Sequence, residues 1–189
     1  MSKHRVCPWW LGYLLANPIR QLWHDPHEIL HPYVRAGMTV LEPGPGMGFF
    51  TLELLRLTGH CGRVVVSELQ PRMLAALQRR AAKLGFLSRL DARLAQPDSM
   101  NLAGLHGAVD FALAFAVVHE FPAAEPFFAE VSRALKPGAR LLLAEPRGHV
   151  KPAEFEEQLR QAASAGLVLV NRPQIRHSHS ALLEKAAVA

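Results

Sequence analysis

Between Val40 and Thr51 an apolar run ends in an acid and then carries glycine at every second position: Val40-Leu41-Glu42-Pro43-Gly44-Pro45-Gly46-Met47-Gly48-Phe49-Phe50-Thr51. A buried strand that turns through such backbone into a helix is the opening move of an open α/β sheet, in which the first strand-to-helix turn lies at the ligand crevice. Glycines at 44, 46 and 48 let main chain approach a ligand with no side chain in the way. The spacing separates cofactor classes. A dinucleotide fingerprint, G-x-G-x-x-G, needs glycine at position 49, where the chain has Phe49, and the G-K-[ST] ending of a phosphate-binding loop is absent. A turn of this kind also occurs as a plain tight connection, so its companions matter.

The rest of the chain alternates strand and helix. Strands are expected at 39–41, 63–67, 89–95, 109–115, 139–144, 167–170 and 175–179, with helices at 49–57, 71–84, 123–135 and 153–165 and a closing segment from Ser180. Such alternation implies a doubly wound, mostly parallel α/β sheet of the Rossmann-like kind. Residues 1–35 differ in composition, with three Trp, two Tyr and repeated X-Pro turns, and are expected to form an N-terminal arm or lid on a main domain spanning 36–189. With 189 residues, half of them apolar, one sizeable core is expected. Cys7 and Cys61 cannot form a disulfide framework, which agrees with a reducing, cytoplasmic setting. The basic start followed by apolar residues is broken by Pro8, Trp9, Trp10 and Gly12 and lacks an A-x-A site, so export is not expected. No apolar run reaches the roughly 20 residues of a membrane span.

Three features accompany the glycine turn. Glu68 ends the second strand about 20 residues on, where a carboxylate can accept hydrogen bonds from ribose hydroxyls. Leu69 and Met73 follow and can cover an adenine face, although each also reads as ordinary core. Asp98 and the Ser99 backbone follow the third strand, placed to receive the adenine amine, with simple turn chemistry as the alternative for Asp98.

From about Thr39 to Pro146 the chain resembles the class I S-adenosylmethionine-dependent methyltransferases, nearest to the ubiquinone/menaquinone-biosynthesis type. The resemblance rests on the block from Val40 to Gly48, on Val66-Ser67-Glu68-Leu69-Gln70-Pro71-Arg72-Met73-Leu74, on Asp98 in its turn, and on the run from Arg133 through Lys136-Pro137-Gly138 to Glu145-Pro146. It implies a seven-stranded sheet whose last strand is inserted antiparallel, with S-adenosyl-L-methionine across the tips of the first, second and fourth strands. By the same carry-over, Glu42, Gly44, Pro45, Gly46 and Gly48 hold the methionine end, Glu68 the ribose, and Leu69, Met73, Asp98 and Ser99 the adenine, while Phe115 and Ala116 border the methyl group. Ala139 and Pro97 stand where the family often has glycine.

The implied reaction is methyl transfer by in-line displacement to a small organic acceptor, with no metal required. His119, just past the fourth strand, is the first candidate base, ahead of Glu120, Glu145 and His149, and a purely structural hydrogen bond is its alternative. Trp9, Trp10, Tyr13 and His149 are candidate acceptor-pocket residues, and the arm aromatics equally suit a homodimer contact. The formal charge of +5 and pI near 9.7 invite a nucleic-acid partner. Arg72, Arg79, Arg80, Lys83, Arg89 and Arg93, however, fall on and after one outer helix without interleaved aromatics, as in a solvated face, which disfavours nucleic acid. Methylation of RNA or protein through that face, and a non-catalytic binding module, are the rival functions.

Overall fold

The computed structural model describes residues 24–187, so Cys7, Trp9, Trp10, Tyr13 and Trp23 of the proposed arm lie outside the described residues. Seven strands form one sheet in the order β3-β2-β1-β4-β5-β7-β6. The chain divides at 101/102 into two compact units.

The first unit holds β1 (Thr39–Pro43), β2 (Arg63–Glu68) and β3 (Leu90–Leu94), all parallel, with α1 (Pro26–Leu30), α2 (Thr51–Thr58) and α3 (Pro71–Lys83). Val40, Leu41 and Val64 to Val66 are fully buried, as expected of strands covered on both faces. Asp25 caps α1 by accepting from the His27 N–H, and Leu30 and Val34 are buried, so the segment that precedes β1 contributes to this core. His27 of α1 bonds Glu53 of α2 and so joins the two helices, while Arg56 bonds the same carboxylate from within α2. Pro71 opens α3, where its missing N–H costs nothing.

The second unit holds β4 (Val109–Phe115), α4 (Ala124–Ala134), β5 (Leu135–Pro146), α5 (Pro152–Ser164), β6 (Leu167–Asn171) and β7 (Ser178–Lys185). β4 pairs parallel with β5, and β7 runs antiparallel between β5 and β6. The last strand differs from expectation. Residues 175–177 form a turn with His177 at φ 58° and the Ser178 N–H on the Ile175 carbonyl, and the strand, Ser178–Lys185, shares only Ser178 and His179 with the expected one and continues through the segment expected to close the chain. Ser180-Ala-Leu-Leu-Glu-Lys is rich in helix formers, but insertion between two strands buries Ala181, Leu182 and Leu183, and that burial overrides local propensity. β5 also starts four residues earlier than its apolar core, at Leu135, with a register shift opposite Val109 and Phe111.

Candidate active site

In the first unit the residues that sequence offers as cofactor contacts gather around the carboxyl ends of β1 and β2. Gly44 continues the ladder by donating its N–H to the Ser67 carbonyl (2.8 Å), and the chain then turns through Gly44, Gly46 and Gly48 at φ of 64°, 55° and 85°. These angles suit glycine in each case, but the surroundings differ. A Cβ on Gly46 would meet nothing nearer than the Met73 sulfur at 4.0 Å, whereas one on Gly48 would lie 2.2 Å from Leu77 Cδ1. Gly48 is thus demanded by helix packing, and Gly46 leaves an open face of bare backbone.

That backbone is fixed by Glu68. Its Oε2 accepts from the Gly46 N–H (3.1 Å) and its Oε1 from the Gln70 N–H (2.8 Å). Burial pushes the Glu68 carboxyl above its usual range, and the N–H groups of Gln70, Gly46 and Leu69 draw it partly back. A carboxylate has about four lone-pair sites, so acceptor capacity remains for hydroxyl donors. Leu69 beside it is 39% exposed, an apolar surface next to a hydrogen-bond acceptor. Met73 is nearly buried in a cluster with Met47 and Ala76, under the loop. Glu42 is buried and accepts from the Thr51 hydroxyl at the start of α2 (2.6 Å). Past β3, Gln96 and Ser99 exchange backbone hydrogen bonds, so the Ser99 N–H is used within its own turn; Asp98 at the turn's apex is exposed. The Ser67 hydroxyl bonds the Met100 carbonyl and ties this turn to the tip of β2.

By sequence Arg80 belongs to a solvated basic face, and the structure gives it another task. Its guanidinium is half-buried and donates to the Met47 carbonyl inside the glycine loop. Arg89 donates to the carbonyls of Leu55 and Gly59 at the end of α2, and Arg93 pairs with Asp91 and bonds the Asn101 carbonyl.

In the second unit, Phe115 ends β4 and Ala116 turns the chain at φ 56°, held by its N–H on the Ala144 carbonyl (2.7 Å). The next three residues converge on Glu145, whose side chain is wholly buried. Oε1 accepts from the N–H groups of Val117 (3.0 Å) and Val118 (2.9 Å), and Oε2 from the His119 N–H (3.4 Å) and its Nδ1 (2.5 Å). Burial by itself would lower the His119 pKa, but the Glu145 hydrogen bond and charge, with Glu120, raise it above the ordinary histidine value. The His149 ring meets His119 edge to face at 5.4 Å. Sequence offers His119, and after it Glu120, Glu145 and His149, as candidate bases but gives no sign that Glu145 organises both the turn and the ring; the one available signal is an acid ending an otherwise apolar buried strand.

Among the described residues no group of three or more His, Cys, Asp or Glu could hold a metal ion, and no helix is long and apolar enough to cross a membrane.

The methyltransferase domain family model matches residues 41–143. The ubiquinone/menaquinone biosynthesis C-methyltransferase of Klebsiella pneumoniae is 28% identical over 132 residues, which is 70% of this chain and 51% of that protein, so the chain spans about half the length of this relative. The fold matches an S-adenosylmethionine-dependent methyltransferase of Aquifex aeolicus with a TM-score of 0.84 at 23% identity, covering 96% of this chain and 100% of the other. It also matches the geranyl diphosphate C-methyltransferase of Streptomyces coelicolor, solved with S-adenosylhomocysteine, with a TM-score of 0.69 at 18% identity over 96% and 85% of the two chains. The chain belongs to the methyltransferase domain family, among the class I S-adenosylmethionine-dependent methyltransferases.

Proposed function

We propose that the chain binds S-adenosylmethionine and transfers its methyl group to a small organic acceptor, with His119 taking the proton that the acceptor loses. The observation that carries the cofactor assignment is the open Gly46 backbone pinned to the Glu68 carboxylate, beside the exposed Leu69. These residues fit a nucleoside: the carboxylate accepts from ribose hydroxyls, bare backbone admits the amino-acid portion, and Leu69 covers one face of the adenine. Glu42, Gly44, Pro45, Gly48, Met73, Asp98, Ser99 and Phe115 complete the assignment by resemblance, and Gly48 and Met73 do so from beneath the loop.

When bound, the cofactor supplies a methyl group on a positively charged sulfur, already activated for displacement. The protein's contribution is alignment and exclusion of water. His119 is suited to proton transfer because its Nδ1 is committed to Glu145, which leaves Nε2 as the reactive nitrogen. The basic residues around α3 are not read as a nucleic-acid surface, since Arg80, Arg89 and Arg93 bond to the chain's own carbonyl and carboxylate groups.

Titration calorimetry with S-adenosylmethionine tests the first step. Saturable one-to-one binding, weakened at least tenfold by Glu68→Ala, is expected; absence of binding by the folded wild-type protein would remove the proposal. Turnover of small acceptors, with no salt-sensitive retention on RNA, supports the acceptor class, and RNA methylation in its place would refute it.

A further inference from the structure

The Glu145 carboxylate is more elaborately held than a structural acid at a strand end requires. It is 0% exposed, yet three successive backbone N–H groups and an imidazole all point at it. A buried carboxylate persists only when its charge is met by donors, and here the donors come from one short turn, Val118–Glu120 with the residue before it. That turn is entered through Ala116, a non-glycine residue in the left-handed region, where backbone strain of about 1–3 kcal/mol is tolerated only if the surroundings over-determine it. The His119 ring is therefore fixed at its main chain, at Nδ1 and, edge-on, by His149.

An ionised carboxylate only accepts, so the neutral ring must carry its proton on Nδ1 and its lone pair on Nε2. The His119 side chain is 21% exposed, which leaves the ring within reach of a ligand. We propose that Glu145 is a positioning residue that holds His119 as a proton acceptor at Nε2, and that the acceptor is accordingly a weakly acidic hydroxyl, as in a phenol or enol. This rests on the methyl-transfer function proposed above. A thiolate or a carboxylate arrives already deprotonated and needs no such device, whereas a phenolic hydroxyl is a poor nucleophile until its proton leaves. In the step, the hydroxyl oxygen forms a bond to the methyl carbon and the carbon–sulfur bond breaks with its electron pair passing to sulfur, which cancels the sulfonium charge. The hydroxyl proton passes to His119 Nε2, and the imidazolium so formed faces the Glu145 carboxylate, with Glu120 adding a second negative charge.

Glu145→Gln is the discriminating variant. Its amide oxygen can still accept from Val117 and Val118, but its NH₂ faces His119 Nδ1 and forces the proton onto Nε2. Nitrogen-15 NMR of the His119 ring, recorded above its raised pKa so that the ring is neutral, is expected to show the Nδ1–H tautomer in the wild type and the Nε2–H tautomer in the variant. If Glu145 merely caps the turn, the tautomer is the same in both and the proposal fails. Turnover of a panel of simple phenols, followed by release of S-adenosylhomocysteine, is expected to fall about 10²–10⁴-fold in Glu145→Gln and in His119→Ala. Added imidazole should partly restore His119→Ala. S-adenosylhomocysteine affinity should be unchanged in both variants, which also shows that they fold. Methylation of thiols alone, no turnover of any phenol, or a Glu145→Gln enzyme with wild-type rate and pH profile would overturn the proposal. Failure of the wild type to bind S-adenosylhomocysteine would instead strike the underlying cofactor assignment.

Discussion

Gly46 and Gly48 are two residues apart, alike in backbone conformation and opposite in purpose. Alanine at 46 bears the cost of a left-handed conformation, about 1–2 kcal/mol, and otherwise projects into open space where the nucleoside is proposed to lie. Alanine at 48 bears the same cost and also strikes Leu77, a fully buried side chain, for a total of about 2–5 kcal/mol. Denaturant unfolding and cofactor calorimetry should therefore separate them: Gly48→Ala loses mainly stability, and Gly46→Ala mainly affinity. His119 makes a residue-scale prediction of its own. Its native pKa is raised, so the native state holds a proton that the unfolded chain has released. Its contribution is complete below the ordinary value of 6.5 and is lost as pH rises through the raised native value. Wild-type stability measured across that window should decline with pH, and His119→Gln should remove that part of the slope. The glycine pattern was legible in the sequence because φ > 0 selects for glycine. Which glycine faces a ligand and which faces a helix was not, because that depends on where Leu77 of α3 arrives.

Strand and helix identities follow from unbroken apolar runs at β1, β2, β4 and β5, whose burial on both faces leaves a plain mark in sequence. The C-terminal strand leaves no such mark. β7 carries Leu182 and Leu183 inside a segment of helix formers, and only pairing with β5 on one side and β6 on the other makes it a strand; Arg140 and Glu184, opposed across β5 and β7, add an ion pair at the rim. Leu182→Ala should accordingly cost about 2–5 kcal/mol in chemical denaturation, as a core position does. A change within about 0.5 kcal/mol, typical of exposed sites, would show that the segment is peripheral. α3 teaches a similar lesson. Its arginines look like one solvated stripe in sequence, but Arg80 reaches back to the Met47 carbonyl, a contact between residues 33 apart that no local pattern announces.

At the scale of the whole molecule, sequence and structure agree on a seven-stranded, mostly parallel sheet with one antiparallel insertion, and the family match over 41–143 covers the strands that carry both Glu68 and the turn after β4. The resemblance points to Glu42 and Glu68, and imidazole chemistry just past the fourth strand to His119, because all three sit at or just beyond strand ends, positions fixed by the fold. Glu145 stands in sequence only as a lesser candidate base, since its hydrogen bonds to three consecutive N–H groups are visible only once the turn is in place. The central claim is that Glu68 and the Gly46 backbone hold a sulfur nucleoside. A crystal structure of the protein with S-adenosylhomocysteine tests it most directly. The ribose hydroxyls are predicted to lie within hydrogen-bond distance of the Glu68 carboxylate, with the amino-acid portion along Gly44–Gly46; a nucleoside bound elsewhere, with Glu68 making only its bonds to Gly46 and Gln70, would contradict the account.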